Sequence, residues 1–115
     1  MSCLVHLPSL SIQLNLLKTS GSSEHTVIAQ RIQALLTRLE SSKDESEEFA
    51  HVHSRDDIKE LYLAYVKIWK SIGKEVKVWP FFHVEKRTKL NQLEVKRLLP
   101  PEYAVQELST KYSES

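Results

Sequence analysis

Two histidines separated by one residue, His51 and His53, are the first candidates for chemistry in this 115-residue chain. On a β-strand, this spacing would place both imidazoles on one face, as some metal sites require. No third ligand follows at a defined spacing, so we predict surface histidines and no metal site. The adjacent Asp56 and Asp57 could be read as a carboxylate pair, but they fall where a helix should begin, and neighbouring helical residues do not face each other.

Motifs for nucleophilic or phosphate chemistry are missing from the sequence. It contains no glycine-rich phosphate loop, no G-x-S-x-G and no H-E-x-x-H, and it has only two glycines. Cys3 is the only cysteine, which excludes an internal disulfide and favours a reducing compartment. We predict that the protein is not an enzyme and holds no cofactor.

The segment KVWPFFHVEKR, residues 77–87, crowds three aromatic side chains around a proline before a basic run. The residue before a proline is biased toward extended geometry, so neighbouring side chains can point in different directions. We expect at least one aromatic side chain to pack inside while another stays exposed and anchors a partner, although the alternative in which all three are buried remains open. The predicted partner-binding residues are Trp79, Phe81, Phe82, Leu90 and Leu93.

Charge is distributed unevenly, although the formal net charge is only +1. Residues 24–53 contain three basic and six acidic groups, whereas residues 74–99 contain seven basic and three acidic groups. Basic residues beside aromatic ones are typical of nucleic-acid binders. A nucleic-acid-binding module that uses residues 74–99 is therefore an alternative function. Its predicted basic patch consists of Lys86, Arg87, Lys89, Lys96 and Arg97.

Residues 41–54, SSKDESEEFAHVHS, are acidic and rich in serine, which predicts a solvated loop. Acid-directed kinases favour such surroundings, so Ser41, Ser42 and Ser46 are possible phosphorylation sites. The alternative is a charged surface loop that carries no modification.

Hydrophobic periodicity predicts helices over 24–40, 55–72, 84–99 and 101–111. Residues 1–23 combine a strand-like alternation from Leu10 to Leu16 with a helical stripe of leucines, so their structure stays undecided. No apolar run reaches the length of a membrane span. We predict an all-α protein, a small bundle of three to five helices with one long acidic loop and one short extended aromatic segment. Residues 24–112 would form a single helical domain after an N-terminal segment, residues 1–23.

These features favour a non-enzymatic protein–protein interaction subunit or adaptor of a larger intracellular complex, located in the cytoplasm or nucleus. The pair Leu61 and Tyr62 is similar to part of the motif of LYR-type mitochondrial assembly factors, which are helical and of this length. Leu63 stands where that family needs arginine, so no residue role is carried over. A small mitochondrial assembly factor is a further alternative.

Overall fold

A computed structural model describes residues 2–72 and 78–103 of the chain. The first strand is followed by two helices and the second strand by one, and a short 3-10 helix, Glu40–Ser42, comes after the second helix. A further helical segment begins at Pro101, of which residues 101–103 are described. In chain order, the elements are β1 (Cys3–His6), α1 (Leu7–Thr19), α2 (Ser23–Leu39), β2 (Phe49–Val52), α3 (Arg55–Ile72), β3 (Phe81–Phe82) and α4 (Gln92–Leu98).

The three strands form an antiparallel sheet in the order β2-β1-β3. Leu4 of the central strand pairs with His51 on one side and with Phe82 on the other. The all-α prediction is therefore wrong, because the protein is mostly helical but has an α+β fold. The strands are two to four residues long and their partners lie far apart in sequence, so local periodicity did not reveal them.

The inner face of the sheet packs against the helices. Side chains alternate across a strand, so Cys3 and Val5 of β1 point to the same side as their neighbours on β2 and β3. These residues and the helical leucines and isoleucines form one hydrophobic cluster. The inner face consists of Cys3, Val5, Ala50, Val52 and Phe81, each at most 2% exposed.

The N-terminal segment folds as β1 followed by α1, and the helical stripe describes α1 correctly. Leu10, Leu14 and Leu17 are buried along this helix. The alternating pattern over residues 10–16 does not form a strand, and Ile12, which belongs to that pattern, is 49% exposed. Gly21 follows the helix with a φ of +77°, a conformation that glycine adopts without steric cost.

The predicted helices over 24–40 and 55–72 are confirmed as α2 and α3. Ser22 caps α2 by accepting a hydrogen bond from a first-turn amide, and Ser54 does the same at the start of α3. His25 is 8% exposed and links the helices, because its ring nitrogens contact the hydroxyls of Ser20 and Ser71. Among the described residues, no helix combines the length and apolar character needed to cross a membrane.

The helix predicted over 84–99 is wrong for its first half. Residues 81–90 form a β-hairpin, in which Phe82 bridges to Lys89 and the Leu90 amide donates to the Phe81 carbonyl. Helix α4 begins only after Asn91, whose side chain forms a reciprocal capping box with Glu94. The apolar residues of the predicted helix are therefore divided between two elements: Val84 and Leu90 lie in the hairpin, whereas Val95 and Leu98 lie in α4. The last predicted helix, 101–111, lies mostly outside the described residues.

The acidic stretch 41–54 is not a continuous loop. It starts within the 3-10 helix, turns between Lys43 and Ala50, which form an isolated bridge, and continues as β2. Glu47 in the turn has a φ of +62°. At Ala50, the edge of β2 that faces away from β1 is thus paired with the chain's own return segment.

Candidate interaction face of the sheet

The face of the sheet opposite the core collects aromatic and imidazole rings. Residues that are directly opposite in an antiparallel pair point to the same side, so the pairs His6 with Phe49 and Leu4 with Phe82 lie on one face. Lys89 extends this side, since it bridges to Phe82. We call this surface the outer face and define it by Leu4, His6, Phe49, His51, His53, Phe82 and Lys89.

Ring contacts organise the centre of the outer face. The Phe49 and Phe82 rings meet edge to face with centroids 5.1 Å apart, and the His6 ring lies 5.1 Å from Phe49 and 5.7 Å from Phe82. Both phenylalanines are half-buried, whereas Leu4 beneath them is only 1% exposed. The rings therefore shield Leu4 and still present part of their own apolar surface.

The rings of His6, Phe49 and Phe82 form a ring cluster, and an arginine side chain lies across it. The Arg87 guanidinium carbon lies 5.9 Å from the Phe49 ring centroid, and its Nη1 is 2.7 Å from Asp44 Oδ2. Arg87 belongs to the β3 hairpin and Asp44 to the turn before β2, so the ion pair spans the sheet. Arg87 itself has a φ of +54°, which places it in the left-handed region at the end of its turn.

The carboxylate of Asp44 is well satisfied. Its side chain is 8% exposed, and Oδ1 accepts hydrogen bonds from the Ser46 hydroxyl at 2.6 Å and the Ser46 amide at 3.0 Å. The Ser46 hydroxyl and, to a smaller extent, Arg87 lower the pKa of the Asp44 carboxyl. The group is therefore held as an anion at neutral pH.

The predicted aromatic anchors divide between core and outer face. Phe81 is 0% exposed and Trp79 is half-buried, with its indole N–H donating to the Leu90 carbonyl at 2.6 Å. The expectation that one aromatic side chain packs inside is met by Phe81. None of the three is largely exposed, however, because Phe82 packs against Phe49.

The two predicted leucine anchors also separate. Leu90 is 7% exposed and belongs to the core, so as placed it offers little surface to a partner. Leu93 is 60% exposed in the first turn of α4. Trp69 near the end of α3 is also a large exposed apolar side chain, with 45% of its surface accessible.

The predicted basic patch lies on two elements. Lys86, Arg87 and Lys89 are exposed on the β3 hairpin, where Arg87 and Lys89 adjoin the ring cluster. Lys96 and Arg97 occupy the last turn of α4, where positive charge complements the helix dipole. The hairpin residues are the part of the patch that the structure brings to the outer face.

The three predicted phosphorylation sites are exposed serines, and the side chains of two of them form hydrogen bonds. Ser41 donates its hydroxyl to the Arg38 carbonyl at 2.8 Å, and Ser46 donates to Asp44. Ser42 lies at the end of the 3-10 helix. Of the three serines, Ser46 is the one hydrogen-bonded to the ion pair on the outer face.

The histidine pair adopts the geometry that a strand imposes. The His51 and His53 rings are nearly parallel, with centroids 5.8 Å apart and an interplanar angle of 4°. Within the described parts of the chain, no group of three or more metal-binding side chains comes together. The pair instead adds two rings to the outer face.

A shallow cavity of about 280 Å³ lies beside α4. Its polar groups include His83 and Glu94, with His83 Nε2 3.4 Å from Glu94 Oε2. The other Glu94 oxygen is engaged in the capping box of α4. Glu94 thus stabilises the start of α4 at the edge of a small, mainly apolar recess. The cavity is lined by Ser2, His83, Val84, Leu90, Glu94, Arg97 and Leu98.

Sequence reasoning missed His6, Phe49 and Asp44 as members of this surface. One signal was available: Phe49, His51 and His53 alternate with the small apolar Ala50 and Val52, a two-residue period typical of a half-buried strand. No comparable signal marked β1, which is only four residues long.

Comparison with known proteins gives no relative for this arrangement. No family model matches the chain, and neither the curated proteins nor the solved structures include a match.

Proposed function

We propose that the protein is a non-enzymatic interaction subunit or adaptor that binds a protein partner through the outer face of its sheet. The observation that carries the proposal is the concentration of five rings, from two phenylalanines and three histidines, on this one face. Rigid aromatic side chains supply large contact areas at low conformational cost, and they often dominate binding energy.

The sheet favours binding on its face over addition of a partner strand. Unpaired outer strands are the usual templates for strand addition. Here Lys43 bridges to Ala50 outside β2, and Lys89 bridges to Phe82 outside β3. These return segments occupy part of both edges, so the rings of the outer face are the more accessible binding elements.

Photo-cross-linking in cells tests the proposal directly. A photoreactive amino acid replacing Lys89 would sit on the outer face, and the same amino acid replacing Val27, which is 49% exposed on α2, is the matched control. We expect a discrete protein adduct from position 89 that is absent from position 27. A folded variant that carries both the photoreactive amino acid at position 89 and Phe82→Ser should give no adduct. Equal adducts at both positions, or an adduct that survives Phe82→Ser, would contradict the proposal.

Single-stranded nucleic acid is a second candidate ligand, favoured by the cations Arg87 and Lys89 beside the rings. Some RNA-binding domains stack bases on sheet aromatics in this way, with basic residues contacting phosphates. The turn before β2 carries Glu45, Glu47 and Glu48, all exposed, and these would repel a phosphate backbone crossing the face. The same cross-linking experiment separates the candidates, since a nucleic-acid adduct would be sensitive to nuclease.

A further inference from the structure

Charges of opposite sign lie at the two edges of the sheet. The chain returns at Lys43 outside β2 and at Lys89 outside β3, so the turn 44–48 lies at the β2 edge, and residues 83–89 of the β3 hairpin lie at the β3 edge. The turn contains four acidic residues and no lysine or arginine, whereas the hairpin residues include three lysines or arginines and one acid, Glu85. The outer face is therefore bordered by an acidic edge and a basic edge.

The ion pair between Arg87 and Asp44 connects the two edges and cancels one charge of each. Its N and O atoms are 2.7 Å apart, and the carboxylate also accepts two hydrogen bonds from Ser46. Both charges are thus satisfied within one copy of the chain and need no counter-ion from a partner. Outside this pair, the turn keeps a net negative charge and the hairpin a net positive one. The exposed residues that carry these charges are Glu45, Glu47 and Glu48 on the turn, and Glu85, Lys86 and Lys89 on the hairpin.

The two edges together select the kind of surface that fits the whole outer face. A partner surface of a single sign would be attracted to one edge and repelled by the other. A fitting surface must itself carry an acidic and a basic edge on either side of an apolar centre, and a second copy of this chain presents such a surface. When two outer faces pack together around a two-fold axis that runs between them along β1, the β3 edge of each copy lies over the β2 edge of the other.

We infer that the outer face is the interface of a homodimer, in which the β3 hairpin of each copy contacts the turn before β2 of the other. This inference rests on the proposed function, because it names a second copy as the protein partner. The same axis places Phe82 of one copy opposite Phe49 of the other, so the half-buried rings also face each other. Aromatic pairs stabilise such contacts beyond the area that they bury. Since the sheet has only three short strands, we expect a weak and reversible dimer.

Sedimentation equilibrium of the purified full chain over a wide range of concentrations measures self-association. We expect a monomer–dimer equilibrium at about 0.1 M sodium chloride. Association should weaken several-fold at about 1 M, because screening shortens the reach of the charges from about 10 Å to about 3 Å. A dimer that salt does not weaken would contradict the role given to the two charged edges.

Charge reversal tests which edges meet in the dimer. Lys86→Glu combined with Lys89→Glu makes both edges acidic, and Glu45→Lys combined with Glu48→Lys makes both edges basic. Each double variant should therefore dimerise at least about tenfold more weakly than the wild type. An equimolar mixture of the two double variants should form a heterodimer, because every acidic edge then meets a basic one.

The matched control combines two charge reversals on the helices, Arg31→Glu and Lys70→Glu. Both residues are exposed, on α2 and on α3, and their reversal should leave dimerisation unchanged. Thermal melting establishes that each variant is folded. If a double variant does not fold, cross-linking of the purified chain with the photoreactive amino acid at position 89 decides the matter: an adduct of twice the chain's mass supports the dimer, and its absence contradicts it.

Three results would overturn the inference: a wild type that stays monomeric at every concentration, folded double variants that dimerise as well as the wild type, or a mixture of them that forms no heterodimer. None of these results touches the proposed function by itself. A monomeric protein that forms an adduct with a different protein at position 89, lost with Phe82→Ser, would exclude the homodimer and support the proposed function.

Discussion

Because the thiol of Cys3 is buried, we expect the free energy of unfolding to fall at alkaline pH. The side chain is 1% exposed, and burial raises the pKa of the Cys3 thiol from 9.0 to about 12. Below pH 9 both the folded and the unfolded chain hold the thiol proton, so the group does not affect the balance. Above pH 9 the unfolded chain releases the proton first, and the free energy of unfolding falls until about pH 12. With these two pKa values, the loss is about 1 kcal/mol at pH 10 and about 2 kcal/mol at pH 10.5.

Urea unfolding of the wild-type protein and of Cys3→Ala at pH 7.5 and pH 10 measures this effect. Cys3→Ala costs stability at both pH values because it removes core volume, but it has no thiol to titrate. Lysines and tyrosines titrate in both proteins, so the difference between the proteins isolates Cys3. We expect the stability advantage of the wild type to shrink by about 1 kcal/mol between the two pH values. An advantage that stays constant with pH would refute the assignment of Cys3 to a desolvated site.

Three further pairs of substitutions test the fold by urea unfolding. Phe81→Ala should cost about 3–5 kcal/mol because Phe81 is fully buried, whereas Phe82→Ala on the outer face should cost clearly less; equal losses would contradict the assignment of the two faces. Asn91→Ala removes the capping box of α4 and should cost about 1 kcal/mol, while Asn91→Asp keeps the acceptor and should cost little; a neutral Asn91→Ala would speak against the cap. Gly21→Ala should cost about 1 kcal/mol through its positive φ alone, since a Cβ there meets no atom within 4 Å. Gly21→Asn should be tolerated better, and a stabilising Gly21→Ala would contradict this conformation.

The sequence predicts the long helices well because their signals are local and repeated. Helices α2 and α3 extend over 17 and 18 residues, long enough for the apolar spacing to recur over several turns. Serine caps mark both starts, so the predicted limits agree with the structure to within a residue or two.

The sheet and the candidate site depend on pairings that no local pattern contains. Phe82, Arg87 and Lys89 could be singled out from composition, but their neighbours His6 and Phe49 come from strands far away in the chain. Even the assignment of Phe81 to the core and of Phe82 to the outer face is possible only once residues 81 and 82 are known to form a strand. Their opposite orientations are a consequence of strand pairing and not of hydrophobicity.

The central position of β1 affects how the protein is made. In the order of synthesis, Cys3–His6 precede α1, α2 and α3, and the partner strand that contains Phe82 follows all of them. Until then β1 has at least one unpaired edge, which is open to pairing with another chain. Closing this long-range sheet should also slow refolding relative to a helical bundle of the same size, because distant ends must meet before the core is complete. Nascent chains that stop before β3 should therefore be the aggregation-prone species.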